Sequence, residues 1–409
     1  ARILTFCNSE RLPIVVQGGL SGLNAAALPV HRGIAMSMER LNTILKIDKE
    51  NFQVTTEAGV VTEHLQNVLE AEGLFYPPDP QGRGWSHIGG NVSTNAGGPK
   101  CVKYGVTRDY VLNLEIVLPS GEILWTGANT LKNSTAYNLT QLIIGSEGTL
   151  AVVTKVVLKV LSLPSCRLLL RAPFARAADA WAAVAAIFQA GVTPSALEFM
   201  SRTATDFVTR YLGLAPLLPE YEAFLLIETD GNDMEVLHRD CMAISAVLER
   251  FNVGEVLFAD SHAQQQALWH LRRNAGNAMI QLTRDRLGED TVVPRASLPQ
   301  QLAGAASIAQ EYEVKLSALG HLGDGNMHLY LVNETEDQAT WLPRALAAKR
   351  AIFALTKSLG GMLSAEHGVG LLQKPLLGIF LSNTHLDLLR GIKKVFDPNG
   401  ILNPGKIFD

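Results

Sequence analysis

The chain has 409 residues, 47% of them hydrophobic and 18% charged, with a formal net charge of −4. That length suits two domains of ordinary size, each with its own core, and the weak charge, with no dense Lys/Arg run, argues against a nucleic-acid partner. Four scattered cysteines, Cys7, Cys101, Cys166 and Cys241, form no CxxC; neither a zinc ribbon nor a disulfide framework is indicated, which suits a reducing compartment.

Residues 1 to about 163 are rich in glycine and in short β-branched runs, "LPIVVQGG", "QVTTEAGV", "LEIVLPSGEIL" and "TLAVVTKVVLKV", bounded by turn residues and therefore expected as strands. Only "TEHLQNVLEAEG" carries clear helical spacing there, closed by a glycine. The chain opens at Ala1 without a Met, so a preceding segment, a targeting peptide included, is expected to be absent from it. No apolar run approaches the length that spans a bilayer, which leaves peripheral attachment open.

Three loops in this region consist of small polar residues. "QGGLSGLNAAALP" (17–29) follows a strand but lacks GxGxxG spacing and an evident following helix, so a nicotinamide-binding Rossmann domain fits poorly. Its backbone N–H groups can still converge on an anion, although a plain hairpin turn would read the same way. "SHIGGNVSTNAGG" (86–98) and "GSEGTL" (145–150) are further loops of this kind, whose residues bury little apolar area. A flat polar ligand lying against backbone accounts for all three together.

After "LSLPSC" the texture changes, and a domain boundary is expected near residue 165. Helices are expected in "ARAADAWAAVAAIFQAG", "DMEVLHRDCMAISAVLERF" and "HAQQQALWHLRRNAGNAMIQL", with a strand in "AFLLIETDG". Helices alternating with antiparallel strands predict a sheet covered on one face.

"GHLGDGNMHLY" (320–330) then places two of the ten histidines around an Asp324-Gly325 turn. A two-residue turn there would set His321 directly opposite His328, with Cβ atoms roughly 4.5–5.5 Å apart. Two such imidazoles can bind one metal ion, or can simply be polar residues on a wet hairpin. "SAEHGVG" offers Glu366 and His367 between glycines, as a further ligand and base or as a solvated turn. "GILNPGKIF" only mimics a P-loop, because Ile407 replaces the Ser/Thr and the chain stops before any helix.

Taken together, "GGLSGL", "PPDP", "IGGNVSTNAGG", "YGVTRD", "GSEGTL", "GHLGDGNMH", "SAEHGVG" and "NPGK" resemble flavoproteins of the vanillyl-alcohol oxidase fold. The resemblance covers essentially the whole chain. It is to the D-2-hydroxyacid dehydrogenase branch, which includes D-lactate and D-2-hydroxyglutarate dehydrogenases and the D subunit of glycolate oxidase. It implies an α+β fold: a PCMH-type FAD-binding domain over 1–164 with its N-terminal part missing, a ferredoxin-like α+β substrate (cap) domain with the metal site over 165–370, and an FAD-linked oxidase C-terminal segment, 371–409, returning to the FAD domain.

The resemblance further implies noncovalent FAD, since the first loop has neither His nor Cys. Its pyrophosphate would sit on Gly18, Gly19, Leu20, Ser21 and Gly22, with Leu23 and Asn24 adjoining. Pro78, Asp79, Ser86, Gly89, Gly90, Asn91 and Thr94 would line the phosphates and flavin edge, Glu147, Gly148 and the strand through Val153 the adenine and ribose, and Asn403 the isoalloxazine. Ala151 stands where the family usually has glycine.

The metal ligands implied are His321, His328 and Glu366, a catalytic set with an open position for Zn²⁺, or for Mn²⁺ or Fe²⁺. These residues and Arg272 would bind a small-molecule 2-hydroxyacid, with His367 as general base while hydride leaves C2 for flavin N5. Relatives acting on hydroxyglutarate add a Thr and a Lys where this chain has Gly276 and Gly288; Asp290 and Pro294 fit as sheet scaffold. Expected partners are a separate electron acceptor, whether quinone, cytochrome or electron-transfer flavoprotein, and a second copy in a homodimer. The expected location is the cytoplasm or the inner-membrane surface, and the mitochondrion in a eukaryote. A glycolate-oxidising subunit and a noncatalytic flavin- or metal-binding subunit are the alternatives.

Overall fold

β-branched runs become strands throughout. The computed structural model describes residues 1–408, and the chain divides into two units, Ala1–Gly98 with Gly105–Leu163 and Glu366–Asp409, and Pro99–Tyr104 with Pro164–Ala365.

In the first unit β1 (Ile14–Gln17) and β2 (Ile34–Ser37) pair in parallel. β3 (Ile44–Asp48), β4 (Gln53–Glu57), β5 (Leu74–Phe75), β6 (Val111–Val117), β7 (Ile123–Trp125), β8 (Val152–Lys159) and β9 (Leu161–Ser162) follow. Five of them form an antiparallel sheet in the order β3-β4-β8-β6-β7. The helix Thr62–Ala71 buries Leu65 and Leu69 one turn apart, each contributing about 1.5–3 kcal/mol by leaving water. Gly73, at φ +74°, then lets the chain turn away.

The segment 86–98 is not all loop as its composition predicts, because Ile88–Thr94 is helical. Tertiary packing overrides weak propensity here. Ile88 and Val92 are fully buried, the Gly89 N–H donates to the Ala58 carbonyl, and a Cβ on Gly89 would meet the Ala58 Cβ at 2.6 Å.

The second unit holds β10 (Cys166–Phe174), β11 (Ala196–Ser201), β12 (Ala223–Gly231), β13 (Leu257–Ala259), β14 (Asp285–Val292), β15 (Lys315–His321) and β16 (Asn326–Asn333). They form one antiparallel sheet in the order β13-β10-β12-β11-β15-β16-β14. One face, with Leu170, Phe199, Leu225 and Leu329, packs on helices Ala177–Gln189, Met234–Leu248, Leu298–Glu311 and Gln338–Ser358.

The expectation of a single covered face is corrected by helices Arg202–Leu212 and His262–Leu282. They bury Phe207, Val208, Ala278 and Met279 with Met200 and Leu319 of the opposite sheet face. Strand alternation sends Met200 and Leu319 to the side away from Phe199 and Ala318, and these apolar positions need cover of their own. Among the described residues no helix is long and apolar enough to cross a membrane.

Candidate active site

Hairpin register decides which side chains meet on that second face. The predicted opposition of His321 and His328 is not formed: His321 lies opposite Asn326, and His328 opposite Leu319. A two-residue type I′ turn needs positive φ at both central positions, yet only Gly325 (φ +88°) of the Asp324-Gly325 pair adopts it. The loop is therefore 322–325. Because side chains alternate with period two, the two histidines still share a face as diagonal neighbours, with ring centroids 5.2 Å apart and near-perpendicular planes.

Glu198 on β11 lies directly opposite His321. Its carboxylate oxygens are 2.7 and 2.9 Å from His321 Nδ1, and Arg272 Nη2 is 2.7 Å from its Oε2. Burial pushes the Glu198 carboxyl up, but His321 and Arg272 outweigh it and hold it below the usual carboxylate range. An Nδ1–H bond to this carboxylate leaves His321 Nε2 as the ring's lone-pair nitrogen, the tautomer a metal ligand needs. Sequence reading missed Glu198, whose only signal is one acid inside the apolar strand "ALEFMS".

Asp290, expected as scaffold, pairs with His328 across β14 and β16, its Oδ1 3.6 Å from His328 Nδ1. It accepts from Asn326 Nδ2 (2.8 Å), Ser364 Oγ (2.7 Å) and the Ala365 N–H (3.0 Å). The residue immediately before Glu366 is thus tied to the histidine-bearing face.

In the first unit, Glu366 and His367 begin the returning segment, with His367 Nε2 3.7 Å from Glu366 Oε1. The Val369 and Gly370 N–H groups donate to the Glu147 carboxylate at 2.7 and 2.8 Å, and Asn24 Nδ2 donates to the Gly368 carbonyl at 2.5 Å. Asn403 donates to the Ala26 and Glu147 carbonyls. Burial pushes the Glu147 carboxyl up, against these N–H donors and Lys406.

Other residues predicted from the resemblance have protein partners. Asp79 pairs with Arg83, Gln66 donates to the Pro78 carbonyl, Ser86 and Asn91 both bond Thr62, and Thr94 bonds the Gly90 carbonyl. Val153 is buried on β8, while Leu20 and Leu23 are exposed.

The family described as FAD linked oxidases, C-terminal domain, matches residues 163–407, and an FAD binding domain matches 1–127. The chain belongs to the FAD-linked oxidases. A glycolate oxidase subunit GlcD of Bacillus subtilis is 36% identical over 100% of this chain and 86% of its own. A D-lactate dehydrogenase of Anaerostipes hadrus is 37% identical with the same coverage. A D-2-hydroxyglutarate dehydrogenase of Xanthomonas citri pv. viticola is 31% identical over 100% of this chain and 86% of its own. In fold, p-cresol methylhydroxylase matches with TM-score 0.77 at 16% identity, covering 100% of this chain and 86% of that one. Alkyldihydroxyacetonephosphate synthase matches with TM-score 0.75 at 19% identity, covering 98% of this chain and 74% of that one.

The first unit of this FAD-linked oxidase fits a flat cofactor held by backbone. Among the described residues, and apart from each glycine's own chain neighbours and helix backbone, no atom lies within 4 Å of a Cβ built on Gly22, Gly90 or Gly148, so these positions border open space. His87 Nδ1, which a Cβ on Gly18 would approach to 3.7 Å, is buried without a hydrogen-bond partner among the described residues. Burial holds its pKa below the usual value. His87 was also missed from the sequence, where it is one residue in a string of small ones.

Proposed function

We propose that this FAD-linked oxidase oxidises a D-2-hydroxyacid to the 2-oxoacid with noncovalent FAD and one divalent ion, zinc, manganese or iron. The observation that carries the reading is the grip of Asp290 on Ser364 and Ala365. It anchors the chain one residue before Glu366 on the strand pair that bears His328.

His321, His328 and Glu366 would hold the ion. FAD would lie along Gly18–Gly22, Gly90 and Gly148. When bound, the ion supplies Lewis acidity toward the substrate carboxylate and hydroxyl, and FAD supplies the acceptor for hydride from C2. His367 takes the hydroxyl proton on a ring nitrogen; loss of that proton and the hydride leaves the 2-oxoacid. Arg272, whose buried Nε has no hydrogen-bond partner among the described residues, binds the substrate carboxylate.

Gly276 and Gly288 offer no cation for a second carboxylate. A Cβ at Gly288 would already lie 3.0 Å from the Tyr330 ring. These features favour a monocarboxylate such as D-lactate over D-2-hydroxyglutarate. The enzyme passes its electrons to a quinone, a cytochrome or an electron-transfer flavoprotein and works as a homodimer.

The test is anaerobic bleaching of the bound flavin by D- and L-2-hydroxyacids, before and after chelation. Bleaching by one enantiomer, removed by chelator and restored by added metal, is expected. No bleaching by any acid, with flavin and metal present, would sink the reading. A second reading, oxidation of glycolate within a multi-subunit complex, is favoured by the relative from Bacillus subtilis. It predicts that glycolate bleaches faster than any chiral acid in the same panel.

A further inference from the structure

The loop that carries Glu366 and His367 is clamped from beneath by a buried carboxylate. Glu147 is 6% exposed, itself at φ +52°, and its two oxygens separately accept the Val369 and Gly370 N–H groups. Asn24 holds the same loop as well, its side chain donating to the Gly368 carbonyl and its backbone carbonyl accepting from the Leu371 N–H. Gly368 (φ +77°) and Gly370 (φ +52°) fit no side chain: a Cβ would come within 2.8 Å of Glu147 Oε1 at the first and 2.0 Å of the Asn24 carbonyl at the second. Asn403 and the Ser93 carbonyl fix the Glu147 backbone in turn.

Each Glu147 oxygen gives one lone pair to the loop, so a ligand could meet this carboxylate only on its remaining lone pairs. A neutral residue could fill the same space, but only a carboxylate presents two equivalent acceptors to adjacent N–H groups.

We propose that Glu147 is a positioning residue for His367, setting the backbone from which the base projects, rather than a cofactor ligand. The inference rests on His367 acting as the base. Displacing a reacting group by about 1 Å costs about a hundredfold in rate, so a loop that loses one of its two acceptors is expected to show it in the rate.

The test compares E147Q, G368A and H367N in the full-length, FAD-loaded protein. Three quantities are read: FAD Kd by titration, the rate of flavin reduction at saturating FAD, and amide hydrogen exchange in the peptide containing Val369 and Gly370. For E147Q we expect reduction slowed by about ten- to a hundredfold, FAD Kd unchanged within about twofold, and faster exchange at the two amides. If E147Q does not fold, G368A carries the test, because its Cβ presses on the same carboxylate and must reproduce the slow reduction. Weakened FAD binding with unchanged reduction of the loaded enzyme would overturn the proposal and return Glu147 to the cofactor. Unchanged reduction in H367N would instead remove the base, a failure distinguishable because Kd and exchange in E147Q are read independently.

Discussion

Glu198 shows how much one buried charge can organise. It faces His321 across two strands and Arg272 from a helix, and its side chain is wholly buried. In E198Q the amide still accepts from His321, but the guanidinium loses its counter-charge. Substitution of a partner that orients a metal-bound histidine typically weakens metal binding by 10–100-fold, and titration of metal-free E198Q with Zn²⁺ should show a loss of that size. An unchanged Kd would mean that His321 is not a ligand. Glu366 and His367 are legible in sequence because glycines frame them; Glu198 is not, since its partners are 74 and 123 positions away along the chain.

At the scale of elements, the short helix Cys101–Tyr104 is held on β12 by charge. Lys100 pairs with Glu228, which also accepts from Trp269 Nε1 at 2.9 Å, and Lys103 and Tyr104 reach Asp230 at 2.6 and 2.9 Å. Burial raises the Glu228 carboxyl, but Lys100, Arg167 and Trp269 together outweigh it and the net direction is down. A depressed carboxylate contributes stability at pH above its unfolded pKa of about 4.3, which is lost as pH falls through the lower folded value. K100M should strand the carboxylate and cost about 3–5 kcal/mol in urea unfolding at pH 7. It should also abolish the acid-side loss of stability that this pair contributes. Equal urea midpoints for K100M and the parent would remove the clamp. The pairing is invisible to local pattern because it joins residues 128 apart.

For the molecule as a whole, a ligand that binds only the folded chain raises its stability by mass action. FAD at 100 times its Kd should add about 2.7 kcal/mol, read as a higher urea midpoint for flavin-loaded than for flavin-free protein. A midpoint indifferent to FAD would count against the glycine-lined surface of the first unit as the cofactor site. The units differ in texture as their sequences do. The first is glycine-rich and mixes short strands with short helices; the second sets a seven-stranded sheet among helices.

The sequence by itself determined the main strands of the first unit and the helices Thr62–Ala71, Ala177–Gln189, Met234–Leu248 and His262–Leu282, because period, turn chemistry and side-chain type are local properties. Tertiary structure alone decided the hairpin register, through Asp324 keeping negative φ and moving His321 opposite Asn326. It also decided that "IGGNVST" coils on Ala58, that a second helical layer covers the sheet, and that Glu147, Glu198 and Asp290 serve as anchors. Each of these depends on which distant groups share a buried space, where an unmet charge or N–H costs more than local propensity can return.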